Sequence, residues 1–83
     1  MSFESSAVTL VWNQNNLILR RGTSTLVISA QNVQELRLQD SEELFNSYFR
    51  TKALENREAR RVFESWEKKD VPLLSKIYRE MLA

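Results

Sequence analysis

Apolar and polar residues alternate with a period of two through the first half of the chain, and turn residues break that alternation at short intervals. Such a pattern predicts strands with one buried face. The expected strands are Ala7–Trp12, Leu17–Arg21, Ser24–Ala30 and Gln34–Gln39. Asn13-Gln14-Asn15-Asn16 supplies the first turn, because Asn tolerates left-handed backbone better than most residues. Gly22-Thr23 supplies the second, with Gly at the first central position as a type II′ hairpin requires. Gln31-Asn32-Val33 is the expected third connection.

The turns can be tested against each other, since a slip by one residue would exchange the two faces of the sheet. With Trp12 opposite Leu17, Leu10 meets Leu19 and Val8 meets Arg21. Closing the next hairpin at Gly22-Thr23 sets Leu19 against Leu26 and Leu17 against Ile28. A three-residue third loop then sets Leu26 against Leu38 and Ile28 against Leu36. One face is therefore expected to carry Val8, Leu10, Trp12, Leu17, Leu19, Leu26, Ile28, Leu36 and Leu38.

The reverse face is mixed. One row holds Thr9, Arg20 and Thr25, and the next holds Val11, Ile18, Val27 and Arg37. Three aliphatic residues in a row are unusual where Thr, Lys, Glu or Arg generally face solvent. Either they are the scattered apolar groups that surfaces normally carry, or a helix of the same chain covers them, or they form a patch that meets another protein or a second copy.

After residue 40 the period changes to that of a helix. Asp40 with Glu43 three residues on forms a capping-box signal. Leu44, Phe45, Tyr48 and Phe49 make the first apolar stripe, which lapses between Thr51 and Asn56. Asn56 is placed to cap a second helix, whose stripe is Ala59, Val62, Phe63 and Trp66. Lys68-Lys69 suits its C-terminus, where cations meet the negative end of the helix dipole. Asp70-Val71-Pro72 opens a last helix with Leu73, Leu74, Ile77, Tyr78, Met81 and Leu82 on its apolar side.

The expectation is thus an α+β fold in a single domain, residues 1–83. A four-stranded antiparallel β-meander (7–39) leads into two or three helices (40–83) packed on one sheet face, the last two as an αα-hairpin.

Composition narrows the chemistry. The chain has 83 residues and neither Cys nor His. Disulfides and thiolate metal sites are excluded, and the commonest general base and metal ligand is absent. A domain of this size buries only roughly 60–65% of its unfolded surface, so association is a reasonable source of extra stability. No apolar run approaches a membrane span, and Met1-Ser2-Phe3-Glu4 does not open a signal peptide, so a cytoplasmic location is expected.

The carboxylates come as helical pairs, Glu42 with Glu43, Glu55 with Glu58 and Glu64 with Glu67, interleaved with Lys and Arg. Arg60 with Glu64, and Glu64 with Lys68, are spaced for salt bridges on a solvated helix face. Ser75 and Lys76 point to different sides of a helix and form no dyad. No Gly-rich loop could cradle a phosphate, and no oxygen-rich loop reads as a calcium site. No catalytic residue, metal ligand, cofactor or small-molecule substrate emerges.

With 12 basic and 11 acidic side chains, the formal charge is +1. Residues 1–40 are balanced as well, with three of each sign. A nucleic-acid-binding protein usually shows a clear basic excess. Arg50, Lys52, Arg57, Arg60 and Arg61 nevertheless gather positive charge along one stretch, which could follow a phosphate backbone. Trp12, Phe45, Phe49, Phe63 and Trp66 fall on core stripes, whereas base stacking needs exposed rings. Leu17-Ile18-Leu19-Arg20-Arg21-Gly22, running into Leu26-Val27-Ile28, resembles the opening of carbon-storage-regulator RNA-binding proteins. The likeness ends there, because that family's later glycine-bearing strand is missing and the helical half has no counterpart.

The leading expectation is a non-enzymatic interaction module, a regulator, inhibitor or assembly subunit. It would meet a protein partner or a second copy through Val11, Ile18, Val27, Arg20 and Arg37. The alternative is nucleic-acid binding through Arg50, Lys52, Arg57, Arg60 and Arg61.

Overall fold

Gln14 and Asn15 both hold left-handed backbone, with φ of 53° and 71°. Two such residues in succession make a type I′ turn, whose twist suits a hairpin. The Asn-rich segment therefore closes as a two-residue loop with Asn13 opposite Asn16. At the next turn only Gly22 is left-handed, with φ of 58°, and Arg21 faces Ser24, which is the expected type II′ pattern. In this computed structural model, which describes residues 7–82, the turns join β1 (Thr9–Asn13), β2 (Asn16–Arg21) and β3 (Ser24–Ile28) into one antiparallel sheet, ordered β1-β2-β3.

The register is the one the turns imply. Trp12 pairs with Leu17 and Leu10 with Leu19, while Leu17 meets Ile28 and Leu19 meets Leu26. Val8, Leu17, Leu19, Leu26 and Ile28 are buried together.

The expected fourth strand, Gln34–Gln39, does not form. Its residues belong to helix α1 (Ala30–Arg37) and its exit, so the strand half ends at Ile28. The physical reason lies in the segment's beginning. Ser29 is an N-cap whose hydroxyl accepts from the Asn32 N–H at 3.3 Å, and the Asn16 side-chain oxygen accepts from the Ala30 N–H at 2.8 Å. Ala, Gln, Glu, Leu and Arg then favour helix over strand. Val33 and Leu36, three apart, point into the core, whereas Leu38 is 76% exposed instead of facing Leu26.

Ser41, not Asp40, caps α2 (Glu42–Tyr48), and its hydroxyl accepts from the Leu44 N–H at 3.2 Å. The helix runs on into a π turn, Phe49–Ala53, closed by a bond from the Leu54 N–H to the Phe49 carbonyl at 3.1 Å. That turn is where the apolar stripe lapses, and it carries Leu54 into the core. Asn56 caps α3 (Arg57–Lys69), accepting from the N–H groups of Glu58 at 2.8 Å and Ala59 at 3.4 Å. Lys68 and Lys69 occupy the last turn of α3. The connection Asp70-Val71-Pro72 leads to α4 (Leu73–Leu82), where the Pro72 carbonyl accepts from the Lys76 N–H at 3.0 Å.

At the centre Phe45 stacks on Phe49, with ring centroids 6.1 Å apart, Phe63 meets Phe49 at a tilt at 5.1 Å, and Tyr78 meets Phe45 edge-on at 5.1 Å. Around them lie Leu36, Leu54, Trp66, Leu73, Leu74, Ile77 and Met81. Helix α1 packs on β2 and α3 on β3, while α2 and α4 pack against the other helices. Leu44 and Leu82, expected on core stripes, are exposed, and Trp12 is only partly covered. No described helix is long and apolar enough to cross a membrane.

Candidate protein-interaction surface

Strand alternation sends the residues between the core positions to the opposite side of the sheet. Val11, Ile18 and Val27 are direct cross-strand neighbours there, and Thr9, Arg20 and Thr25 form the adjacent row. Val27 is 58% exposed and Val11 38%, while Ile18, on the central strand, is half-buried by its two neighbours. Cross-strand contact between β-branched side chains stabilises the pairing locally, but it leaves their outer surfaces in water. Arg20 is exposed beside them.

Arg37 does not join this row. Because its segment is helical, it sits in the last turn of α1, with its guanidinium 5.2 Å from the centre of the Trp12 ring. Trp12 shares the core side of the sheet with Leu10 and Leu17, so Arg37 lies on that side as well. A cation over an indole face is favourable and explains why Trp12 tolerates partial exposure. Of the five surface residues expected from the alternation, the outer face holds Val11, Ile18, Val27 and Arg20.

The basic stretch is divided between internal contacts and solvent. Arg50, in the π turn, pairs with Glu67 of α3 at 2.6 Å. Arg60 does not meet Glu64; its guanidinium donates to the Arg50 carbonyl. These two side chains tie the π turn to α3, leaving Lys52, Arg57 and Arg61 exposed. Arg21, which sequence spacing did not single out, reaches the Trp66 carbonyl at 3.4 Å and links the sheet to the end of α3.

The remaining polar contacts read as structural ties. Lys76 pairs with Asp70 at 2.6 Å, holding the start of α4 to the preceding connection. The Ser75 hydroxyl donates to Glu42 at 3.4 Å between α4 and α2. Tyr48 donates to the Glu35 carboxylate at 2.6 Å, joining α2 to α1. Burial, and then that carboxylate, hold the Tyr48 hydroxyl in its protonated form, pushing its pKa up to about 12. Among the described residues, no three acidic side chains gather as metal ligands. The side-chain oxygen of Asn46, in α2, is buried without a hydrogen-bond partner among them.

No family model matches the chain, and no curated protein or solved structure matches it.

Proposed function

We propose that this chain is a small non-enzymatic interaction module that binds a protein partner through the outer face of its sheet. The observation that carries the reading is the row Val11–Ile18–Val27, aligned across three strands and left open on the side away from the helices. Aliphatic side chains in register offer a flat apolar strip, and a partner that covered it would remove that strip from water. Arg20, beside the row, is the charged residue of this face within the three strands. It favours a partner that sets a carboxylate beside its own apolar residues. Face-to-face stacking of two copies would bring two Arg20 side chains onto one surface, so another protein suits this face better.

The non-enzymatic part rests on inventory and geometry. His and Cys are absent from the sequence, and Glu35, Glu42, Glu67 and Asp70 are engaged in contacts between elements. None of these groups converges with another on a shared reacting point.

Ile18→Glu tests the reading, because it places a charge in the middle of the strip while leaving the inner face intact. The expected result is a chain that still folds, with a modestly lowered unfolding midpoint from the lost cross-strand contacts, and loss of the proteins that co-purify with the wild-type chain, compared quantitatively by mass spectrometry. Arg20→Glu is expected to weaken the same set. Identical co-purifying sets for wild type and both variants would end the proposal.

A further inference from the structure

The sheet is open at β1, and beyond that strand no other strand lies among the described residues. Exposed edges are normally guarded by charge, proline or a bulge, because their unpaired backbone groups template pairing with another chain. Here the charges sit on the central strand, as Arg20 and Arg21, while residues 7–13, Ala-Val-Thr-Leu-Val-Trp-Asn, hold neither charge nor proline. That is the reverse of the protective arrangement.

The direction of the free backbone groups follows from the hairpin. In a two-residue loop the flanking residues exchange hydrogen bonds, and the pattern alternates from there. Asn13, Val11 and Thr9 therefore bond to β2, and Leu10 and Trp12 direct their N–H and C=O groups outward. Val8 directly precedes the strand, and extending the alternation by one residue would turn its groups outward too. The edge of β3 is of equal length but runs directly into a helix. It offers only Thr25 and Val27 outward before the chain turns into α1.

We infer that β1 pairs antiparallel with β1 of a second copy, about a two-fold axis at Leu10, giving a continuous six-stranded sheet. In that register Leu10 faces its own copy, Val8 faces the partner's Trp12, and Thr9 faces the partner's Val11. Every outward backbone group then meets another, and apolar or β-branched side chains oppose each other at each position. Like-charge opposition, the usual penalty of self-pairing, does not arise because the segment carries no charge. The two Trp12 rings lie four strand positions apart, about 14 Å. The Arg37 side chains over them are therefore separated by more than the ~8 Å screening length of physiological salt. A five-residue edge is small beside a standard interface of about 1,600 Å², so the dimer forms with rising concentration and is not obligate.

This inference goes beyond the partner-binding role of the outer face and does not rest on it. Sedimentation equilibrium over a concentration series, with amide hydrogen exchange on the same samples, tests it. The expected result is a monomer–dimer equilibrium in which the Leu10 and Trp12 amides exchange more slowly as dimer accumulates. Leu10→Lys, which sets two like charges face to face on the axis, is expected to raise the dissociation constant by at least about tenfold. Ile18→Glu is expected to dimerise as the wild type does, even where it loses the co-purifying proteins. A monomer throughout the series, or a dimer whose Leu10 and Trp12 amides exchange at a constant rate, would overturn the inference without help from any variant. So would a dimer abolished by Ile18→Glu and retained by Leu10→Lys, which would place the contact on the outer face.

Discussion

The Arg50 guanidinium lies 2.6 Å from the Glu67 carboxylate, and this contact joins the π turn to α3. It also neutralises one of the five cations that a nucleic-acid reading requires. Glu67→Gln is expected to cost no more than about 1 kcal/mol, since the pair is partly open to solvent. It would leave Arg50 as an uncompensated cation. If the protein-interaction proposal holds, neither the wild type nor Glu67→Gln binds DNA or RNA in a salt-dependent way, as followed by fluorescence anisotropy. A wild-type affinity that falls with salt by a log–log slope of about −0.9 per phosphate contact, and that weakens in Arg57→Ala and Arg61→Ala, would establish the nucleic-acid role instead.

Leu36 and Leu38 separate the helical and strand readings of their segment. A strand would turn both side chains inward, whereas in the structure Leu36 is buried at the end of α1 and Leu38 is exposed beyond it. Leu36→Ala is expected to lower the unfolding free energy by about 2–5 kcal/mol, and Leu38→Ala to change it by less than about 0.5 kcal/mol. Urea denaturation of the two variants decides between equal and unequal effects.

Burial of the Tyr48 hydroxyl, and then its hydrogen bond to Glu35, makes stability depend on alkaline pH. The folded state raises the phenol pKa from its ordinary value of 10.0 to about 12. The contribution is fully present below the unfolded pKa, because both states are then protonated. Above it the unfolded chain loses the proton while the fold retains it, so stability falls between about pH 10 and pH 12. Comparing the denaturation midpoints of wild type and Tyr48→Phe across that window is expected to show a steeper loss for the wild type. Parallel curves would place the titrating group elsewhere.

How far the fold was legible follows from which signals were redundant. The strand register could be read because two turns and one alternation each required the same face, and Leu17, Leu19, Leu26 and Ile28 met all three constraints. Residues 34–39 met only one. Leu36 and Leu38 alternate as a strand would, while Val33 and Leu36 are spaced as a helix would be, and a helix of eight residues offers too few turns to outvote the alternation. Ser29 as a cap and the run of helix formers after Ala30 were the deciding signals. The misplacement of Arg37 on the outer face came with that choice, whereas Val11, Ile18, Val27 and Arg20 were read from strands that exist. The internal ties of Arg50 and Arg60 depend on how the π turn meets α3, a distance along the chain that periodicity does not encode.

The π turn at Phe49–Ala53 has one more consequence. Elsewhere in the described helices, removing a residue would rotate everything that follows by about a third of a turn and expose part of the core. Here the bond from the Leu54 N–H already spans one residue more than an α-helix needs. Loss of one residue between its ends could let the same two groups close an ordinary turn, with Phe49 and Leu54 still facing inward. Phase is locked to length along the other helices, and at this point the chain carries a single residue of play.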